Sequence, residues 1–230
     1  MAAANSSEAP GKTIAKGMIA IGILAGLWYF VGKGDRAFEG TAAALRPVLS
    51  YEVRLKQTDG KSDNVISVAC PSRFALVSQA GGDALRRIVI AGQAYAQVQG
   101  GRWMKIPESM SGLPALLLCP QPVPSTNEPK DVPSLLEYLA RKARVESTGQ
   151  TEAGGIPCTG WRAVPRGPNP EPKPLLAICI SEPSHLPVEM VVGTTTWTFS
   201  KWGEPQSITE PTIEPPSSPT PPAPAGMESS

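Results

Sequence analysis

Few residues in this sequence could do chemistry, and they are widely spaced. The single histidine, His185, directly follows Ser184, but a catalytic serine–histidine pair also needs a third group that orients the histidine through space. The sequence shows no glycine-rich phosphate loop, no paired carboxylates and no cluster of metal ligands. We therefore expect His185 to be a loop residue, and we expect no enzymatic activity, no metal and no cofactor.

The four cysteines, Cys70, Cys119, Cys158 and Cys179, include no Cys-x-x-Cys pair. With one histidine in the chain, a zinc site is not expected. Outside the cytoplasm, two disulfides are the natural interpretation, although four cysteines allow three pairings. A Cys158–Cys179 bond across a hairpin and a Cys70–Cys119 bond between a strand region and a loop are both reasonable. The alternative is that the thiols are buried and pack as small apolar groups.

The charge balance excludes a nucleic-acid partner. The net charge is +1, and no basic stripe is visible. The 26 prolines concentrate in residues 120–133, 165–174 and 205–224. These segments are predicted to be loops and a disordered, proline-rich tail.

An uncharged run at residues 17–32 predicts a membrane anchor. As a helix it spans about 24 Å, and snorkelling of Lys16 and Lys33 extends it towards the roughly 30 Å of a hydrocarbon core. We predict a single span over residues 17–33 in the inner (cytoplasmic) membrane, with residues 1–16 in the cytoplasm and the rest of the chain in the periplasm. A cleaved signal peptide is the alternative, but the run ends in bulky Trp-Tyr-Phe.

Gly22 and Gly26 form a Gly-x-x-x-Gly pattern inside this run. Such spacing lets two helix backbones approach closely, so these residues are candidates for helix packing. Glycine is also common in membrane helices without any such role.

Alternating apolar residues predict that the following region is mainly β. Tyr51, Val53 and Leu55 alternate with charged residues. Glycine-containing turns and a break at Pro71-Ser72 separate six short strands up to residue 106, as in an antiparallel meander. Further strands are predicted after residue 157. Between the two sets of strands, the sequence predicts an amphipathic helix from Asp131 to Ser147, capped by Asp131. Residues 113–119 form a short apolar run.

Several short sequence motifs resemble those of a known protein family. They are CPSRF at residues 70–74, IAGQAY followed by GRWMK at residues 90–105, LPVEM at residues 186–190 and FSKWGEP at residues 199–205. In this order they resemble the LolA/LppX-like group of bacterial lipoprotein carriers and lipid-binding lipoproteins over about residues 51–205. The resemblance implies an α+β fold that is mainly β: a curved antiparallel, incomplete β-barrel with a helical lid over an apolar cavity for acyl chains.

The prediction divides the chain into five parts: residues 1–16, the anchor 17–33, a juxtamembrane linker 34–49 in which residues 37–45 could form helical turns, the LolA-like β-domain 50–203, and the tail 204–230. Candidate cavity residues, each with core packing as the alternative, are Phe74, Leu76, Ile88, Ile90, Tyr95, Trp103, Leu116, Leu136 and Trp161. The predicted function is a membrane-anchored periplasmic domain that binds a lipid or another hydrophobic ligand. The alternative is a non-catalytic accessory subunit that docks into a membrane-protein complex through its single span.

Overall fold

The computed structural model describes residues 33–60, 62–80, 83–98, 101–110, 119–120, 129–167 and 173–213. Residues 17–32 of the predicted anchor, which include Gly22 and Gly26, lie outside these ranges, and so do Leu116 and the last part of the predicted tail. None of the helices in the described ranges has the length and hydrophobicity of a membrane span.

The described strands form a single open antiparallel sheet. In order across the sheet they run β6-β5-β4-β3-β2-β1-β11-β10-β9-β8-β7. The strands are β1 (Ser50–Gln57), β2 (Asp63–Ala69), β3 (Arg73–Ala80), β4 (Asp83–Ile90), β5 (Gln93–Val98), β6 (Met104–Ile106), β7 (Ala143–Ala153), β8 (Ile156–Pro165), β9 (Leu176–Ile180), β10 (Pro187–Val192) and β11 (Thr195–Ser200). The two β-rich stretches of the chain meet where β1 pairs with β11, and this arrangement leaves β6 and β7 at the edges.

Two α-helices of the described part of the chain cover one face of the sheet. Helix α1 comprises residues 33–45, and helix α2 is Val132–Lys142. Both contribute to the main core, α1 through Phe38 and Leu45 and α2 through Leu136 and Leu139. We call the face that they cover the helix-covered face and the opposite one the outer face. A mainly β fold with helices over an antiparallel sheet is thereby confirmed.

Helix α1 is longer than the helical turns predicted within the linker. Phe38 and Ala42 are fully buried, and Arg46, just after the helix, forms an ion pair of 2.5 Å with Glu137 of α2. Residues 33–45 are therefore part of the domain and do not merely connect it to an anchor.

Helix α2 begins where the sequence predicts but ends earlier. Asp131 accepts a hydrogen bond of 2.7 Å from the Ser134 backbone N–H, and the Asp131 N–H donates to the Ser134 hydroxyl in return, which forms a capping box. The predicted continuation to Ser147 is wrong, because the chain becomes the edge strand β7 at Ala143. There Val145 pairs with Ala163 of β8, so partnership with the sheet outweighs the helical propensity of the preceding residues.

The centre of the helix-covered face is filled by side chains. Val53, Ile66 and Met190 are fully buried there, and Trp197 and Leu136 belong to the same cluster. The space between the helices and the middle of the sheet is thus a packed core.

Both disulfides predicted from the cysteine count are formed. Cys158 and Cys179 join β8 to β9 with their Cα atoms 5.6 Å apart, and they form a small second cluster with Ala153 and Val188. Cys70 and Cys119, whose Cα atoms are 5.5 Å apart, link the end of β2 to the segment that precedes α2.

The first part of the predicted disordered tail packs against the domain. Gly203 donates a backbone hydrogen bond of 2.8 Å to Ser50, Ile208 is buried, and Glu210 accepts a hydrogen bond from the Tyr95 hydroxyl. Residues 204–210 therefore pack against the domain, although the sequence predicts a disordered tail from residue 204 onwards.

Candidate ligand-binding cleft

A half-open cleft of about 1380 Å³ lies between the first part of α1 and strands β7, β8 and β9. Its apolar surface comes from Ala37 and Gly40 of α1, Val145 of β7, Trp161 of β8 and Ile180 of β9. Polar and charged residues surround these groups. They are Lys33, Asp35, Arg36, Arg144, Glu146, Ser147, Gln150, Thr159, Arg166, Glu182 and His185.

The sheet places Trp161 in this cleft. Trp161 lies opposite Ile178 of β9, and Ile178 belongs to the main core. Side chains directly opposite each other on paired strands share a face, so the indole lies on the helix-covered face. Trp161 is only half-buried, which leaves part of the ring available to a ligand.

Helix α1 forms the opposite wall of the cleft. Gly34 lies against the backbone of Val145 and thus sets the helix close to the edge strand. Six residues further on, a Cβ atom placed on Gly40 would meet nothing within 4 Å. A side chain therefore has no room at Gly34 but has room at Gly40, which also lines the cleft.

A hydrogen-bonded group lies at the β8–β9 end of the cleft. The Thr159 hydroxyl donates to a Glu182 carboxylate oxygen at 2.7 Å, and the Gln150 side-chain amide donates to the same oxygen at 2.6 Å. These two hydrogen bonds hold the pKa of Glu182 below its ordinary value, with a smaller contribution from the nearby His185. Glu182 is therefore an ionised, structurally engaged carboxylate at neutral pH, which does not suit it to act as a general acid.

Three arginines at the β7–β8 side differ in their contacts. Arg144 forms an ion pair with Glu146 at 2.7 Å, and Arg162 forms a second one with the same carboxylate at 2.8 Å. Arg166, just after β8, donates its Nε–H to the Ala143 carbonyl oxygen at 3.0 Å. This hydrogen bond to the backbone holds the Arg166 Nε atom at the edge of the cleft.

Of the described cavity candidates from the sequence, Trp161 alone lines this cleft. Phe74, Leu76 and Leu136 are buried in the main core, where packing accounts for them. Trp103 is half-buried just before β6.

Three further candidates lie on the outer face. Val89 belongs to the main core, and successive side chains of a strand point to opposite faces, so Ile88 and Ile90 point outwards. Tyr95 lies opposite Ile88 and shares that face. The prediction that these three residues face a cavity under the helices does not match this arrangement, because the continuous apolar run of β4 conceals its alternation.

Sequence reasoning missed the cleft residues on α1 and β7. The sequence predicts a linker at Ala37 and Gly40 and a helix at Val145. A signal was present in each case: Phe38, Ala42 and Leu45 follow helical spacing, and Arg144-Val145-Glu146 alternates as an edge strand does.

No protein-family model matches the chain. No curated protein matches it either. Among solved structures, LprF from Mycobacterium bovis superposes with a TM-score of 0.52 at 13% identity, over 78% of this chain and 97% of LprF. The lipoprotein LppX from Mycobacterium tuberculosis superposes with a TM-score of 0.50 at 16% identity, over 76% of this chain and 100% of LppX. The chain therefore has the LolA/LppX-like fold that its sequence resemblance implies.

Proposed function

We propose that this chain binds a lipid or another hydrophobic ligand in the cleft between α1 and β7–β9. The observation that carries the proposal is the cleft itself, which has a volume of about 1380 Å³ and an apolar surface that includes Trp161 and Ile180. Pockets for drug-sized ligands measure roughly 300–1,000 Å³, so there is room for a longer molecule. We propose a binding role without catalysis, because Glu182, the carboxylate at the β8–β9 end of the cleft, is engaged by Thr159 and Gln150.

The position of α1 supports a membrane-anchored arrangement. Its residues at the cleft begin with Lys33, which directly follows the apolar run of residues 17–32. A membrane span that ends there would hold the cleft at the membrane surface. The two disulfides favour an oxidising compartment, so we place the domain in the periplasm and the anchor in the inner membrane.

The test uses full-length protein in mild detergent, with lipids identified by native mass spectrometry and binding measured with a fluorescent fatty acid. Gly40→Phe should fill the cleft, because a side chain at Gly40 enters open space. We expect its affinity for the probe to fall at least about tenfold, which is a loss of about 1.4 kcal/mol. The matched Gly40→Ala variant adds one methyl group and should bind as the unsubstituted protein does.

The same purification gives the outcome that contradicts the proposal. Absence of co-purifying lipid together with absence of probe binding, or equal binding by Gly40→Phe and Gly40→Ala, would exclude this cleft as a lipid site. Stoichiometric protein partners that are lost with Gly22→Leu would instead identify an accessory subunit of a membrane complex.

A further inference from the structure

We propose that the cleft selects lipids that carry an anionic phosphate headgroup, with Arg36 and Arg166 contacting the phosphate and Trp161 contacting the acyl chain. The inference rests on the proposed function, since it specifies the ligand of the same cleft. It follows from the placement of charge around an apolar surface.

Basic groups outnumber acidic groups among the described residues of the cleft. The basic ones are Lys33, Arg36, Arg144 and Arg166, and the acidic ones are Asp35, Glu146 and Glu182. Arg144 and Glu146 are paired with each other, and Arg162 pairs with the same carboxylate, so neither Arg144 nor Glu146 alters the balance. Glu182 is engaged by Thr159 and Gln150 at the far end. Asp35 is the remaining acid, and it lies in sequence between Lys33 and Arg36, so the α1 side of the cleft stays basic.

Arg36 and Arg166 have donors to offer to a ligand. Arg36 is exposed, and it makes no hydrogen bond or ion pair with the described part of the chain. Arg166 uses its Nε–H on the Ala143 carbonyl oxygen, and among the described residues its two terminal amino groups have no acceptor. A guanidinium group carries five N–H donors in a planar fork. That fork binds a phosphate through two parallel hydrogen bonds.

The two arginines belong to opposite walls. Arg36 is on α1, and Arg166 directly follows β8, whose Trp161 supplies the aromatic part of the apolar surface. A headgroup held between these walls would leave its acyl chain against Trp161 and Val145. Free phosphate shares the anionic chemistry but has no part that could cover this apolar surface.

The test compares two fluorescent lipids with identical acyl chains, a phosphatidic acid and a diacylglycerol, by fluorescence polarisation on the full-length protein. We expect phosphatidic acid to bind at least about tenfold more tightly, and we expect the preference to shrink as ionic strength rises, because exposed charges are screened. The double variant Arg36→Gln/Arg166→Gln should bring the affinity ratio close to one. Arg73→Gln, at an exposed position on β3, is the matched control and should keep the ratio.

The possible outcomes separate the headgroup assignment from lipid binding itself. Equal binding of the two lipids, or a preference that survives the double substitution, would overturn the headgroup assignment while leaving lipid binding intact. Competition by inorganic phosphate at the concentrations at which the lipid binds would identify a free-phosphate site instead. Failure of both lipids to bind would overturn the proposed function, and this inference with it.

Discussion

Gly34 of α1 lies directly against the backbone of Val145 in β7. A Cβ atom on Gly34 would lie 2.4 Å from the Val145 carbonyl oxygen and 2.8 Å from the Val145 Cβ. Only glycine permits such an approach, because it has no side chain. Since Val145 lines the cleft, this contact sets the distance between the two walls of the candidate site.

Gly34→Ala should push α1 away from the edge strand. Overpacking of this kind costs about 1–3 kcal/mol, and the better helix propensity of alanine offsets up to about 1 kcal/mol of that. With the full offset, we therefore expect a net loss of up to about 2 kcal/mol in the free energy of unfolding, measured by urea denaturation, together with weaker binding of the fluorescent fatty acid.

Gly40→Ala is the matched control for this prediction. It is a glycine-to-alanine change in the same helix, but its new Cβ enters open space, so it should stabilise the protein by up to about 1 kcal/mol. Equal unfolding free energies for the two variants would show that α1 does not rest on β7 in solution.

Phe38→Ala tests whether α1 is an integral part of the domain. Phe38 is fully buried in the main core, and truncation of a buried phenylalanine typically costs about 3–5 kcal/mol. The neighbouring Glu39 is exposed, so Glu39→Ala should stay within about 0.5 kcal/mol of the unsubstituted protein. Urea denaturation that gives a loss below about 1 kcal/mol for both variants would mean that residues 34–49 act only as a linker.

The sequence predicts the strands well where one face is apolar and the other polar. Tyr51, Val53 and Leu55 alternate with charged residues, and β1 has the predicted position with these three side chains buried. The assignment fails where alternation is hidden. Ile88, Val89 and Ile90 are all apolar, so the run cannot show which of them faces the core.

The candidate cleft is harder to predict because its parts are distant in sequence. Gly40, Val145 and Trp161 meet only after α1 has packed on the sheet. Trp161 was foreseeable as a large aromatic side chain in a strand. Gly40 was not, because a glycine at the edge of a cavity and a glycine in a linker look alike in a sequence.

The two disulfides should differ in their contribution to stability. Cys70 and Cys119 are separated by 49 residues, and Cys158 and Cys179 by 21 residues. In the chain-entropy model, loops of these lengths correspond to about 4 and about 3 kcal/mol of stabilisation, respectively. We expect Cys70→Ala/Cys119→Ala to lower the free energy of unfolding more than Cys158→Ala/Cys179→Ala does, as measured by urea denaturation under oxidising conditions.

Reduction of the unsubstituted protein provides the control for the disulfide prediction. Fully reduced protein should be less stable than either double variant, because it lacks both constraints on the unfolded chain. A larger loss for the shorter loop would contradict the entropic explanation and would point to packing in the small cluster around Cys158 and Cys179.

The contact between Tyr95 and Glu210 predicts a measurable titration. The hydrogen bond to the Glu210 carboxylate, together with burial and the carboxylate charge, raises the pKa of the Tyr95 phenol. A tyrosine has an unperturbed pKa of about 10, and the folded state favours the protonated form. The contact therefore stabilises the fold fully below about pH 10, and this contribution is lost as the pH rises through the elevated pKa of the folded protein.

Glu210→Gln should return the pKa of Tyr95 towards its ordinary value, because the amide carries no charge and accepts a weaker hydrogen bond. The tyrosinate absorbance is recorded against pH, and subtraction of the curve of Tyr95→Phe, which keeps the other tyrosines, isolates the titration of Tyr95. Glu204→Gln changes an exposed glutamate of the same segment and should leave the titration unchanged. Identical curves for Glu210→Gln and the unsubstituted protein would show that residues 204–213 do not lie on the outer face of β5 in solution.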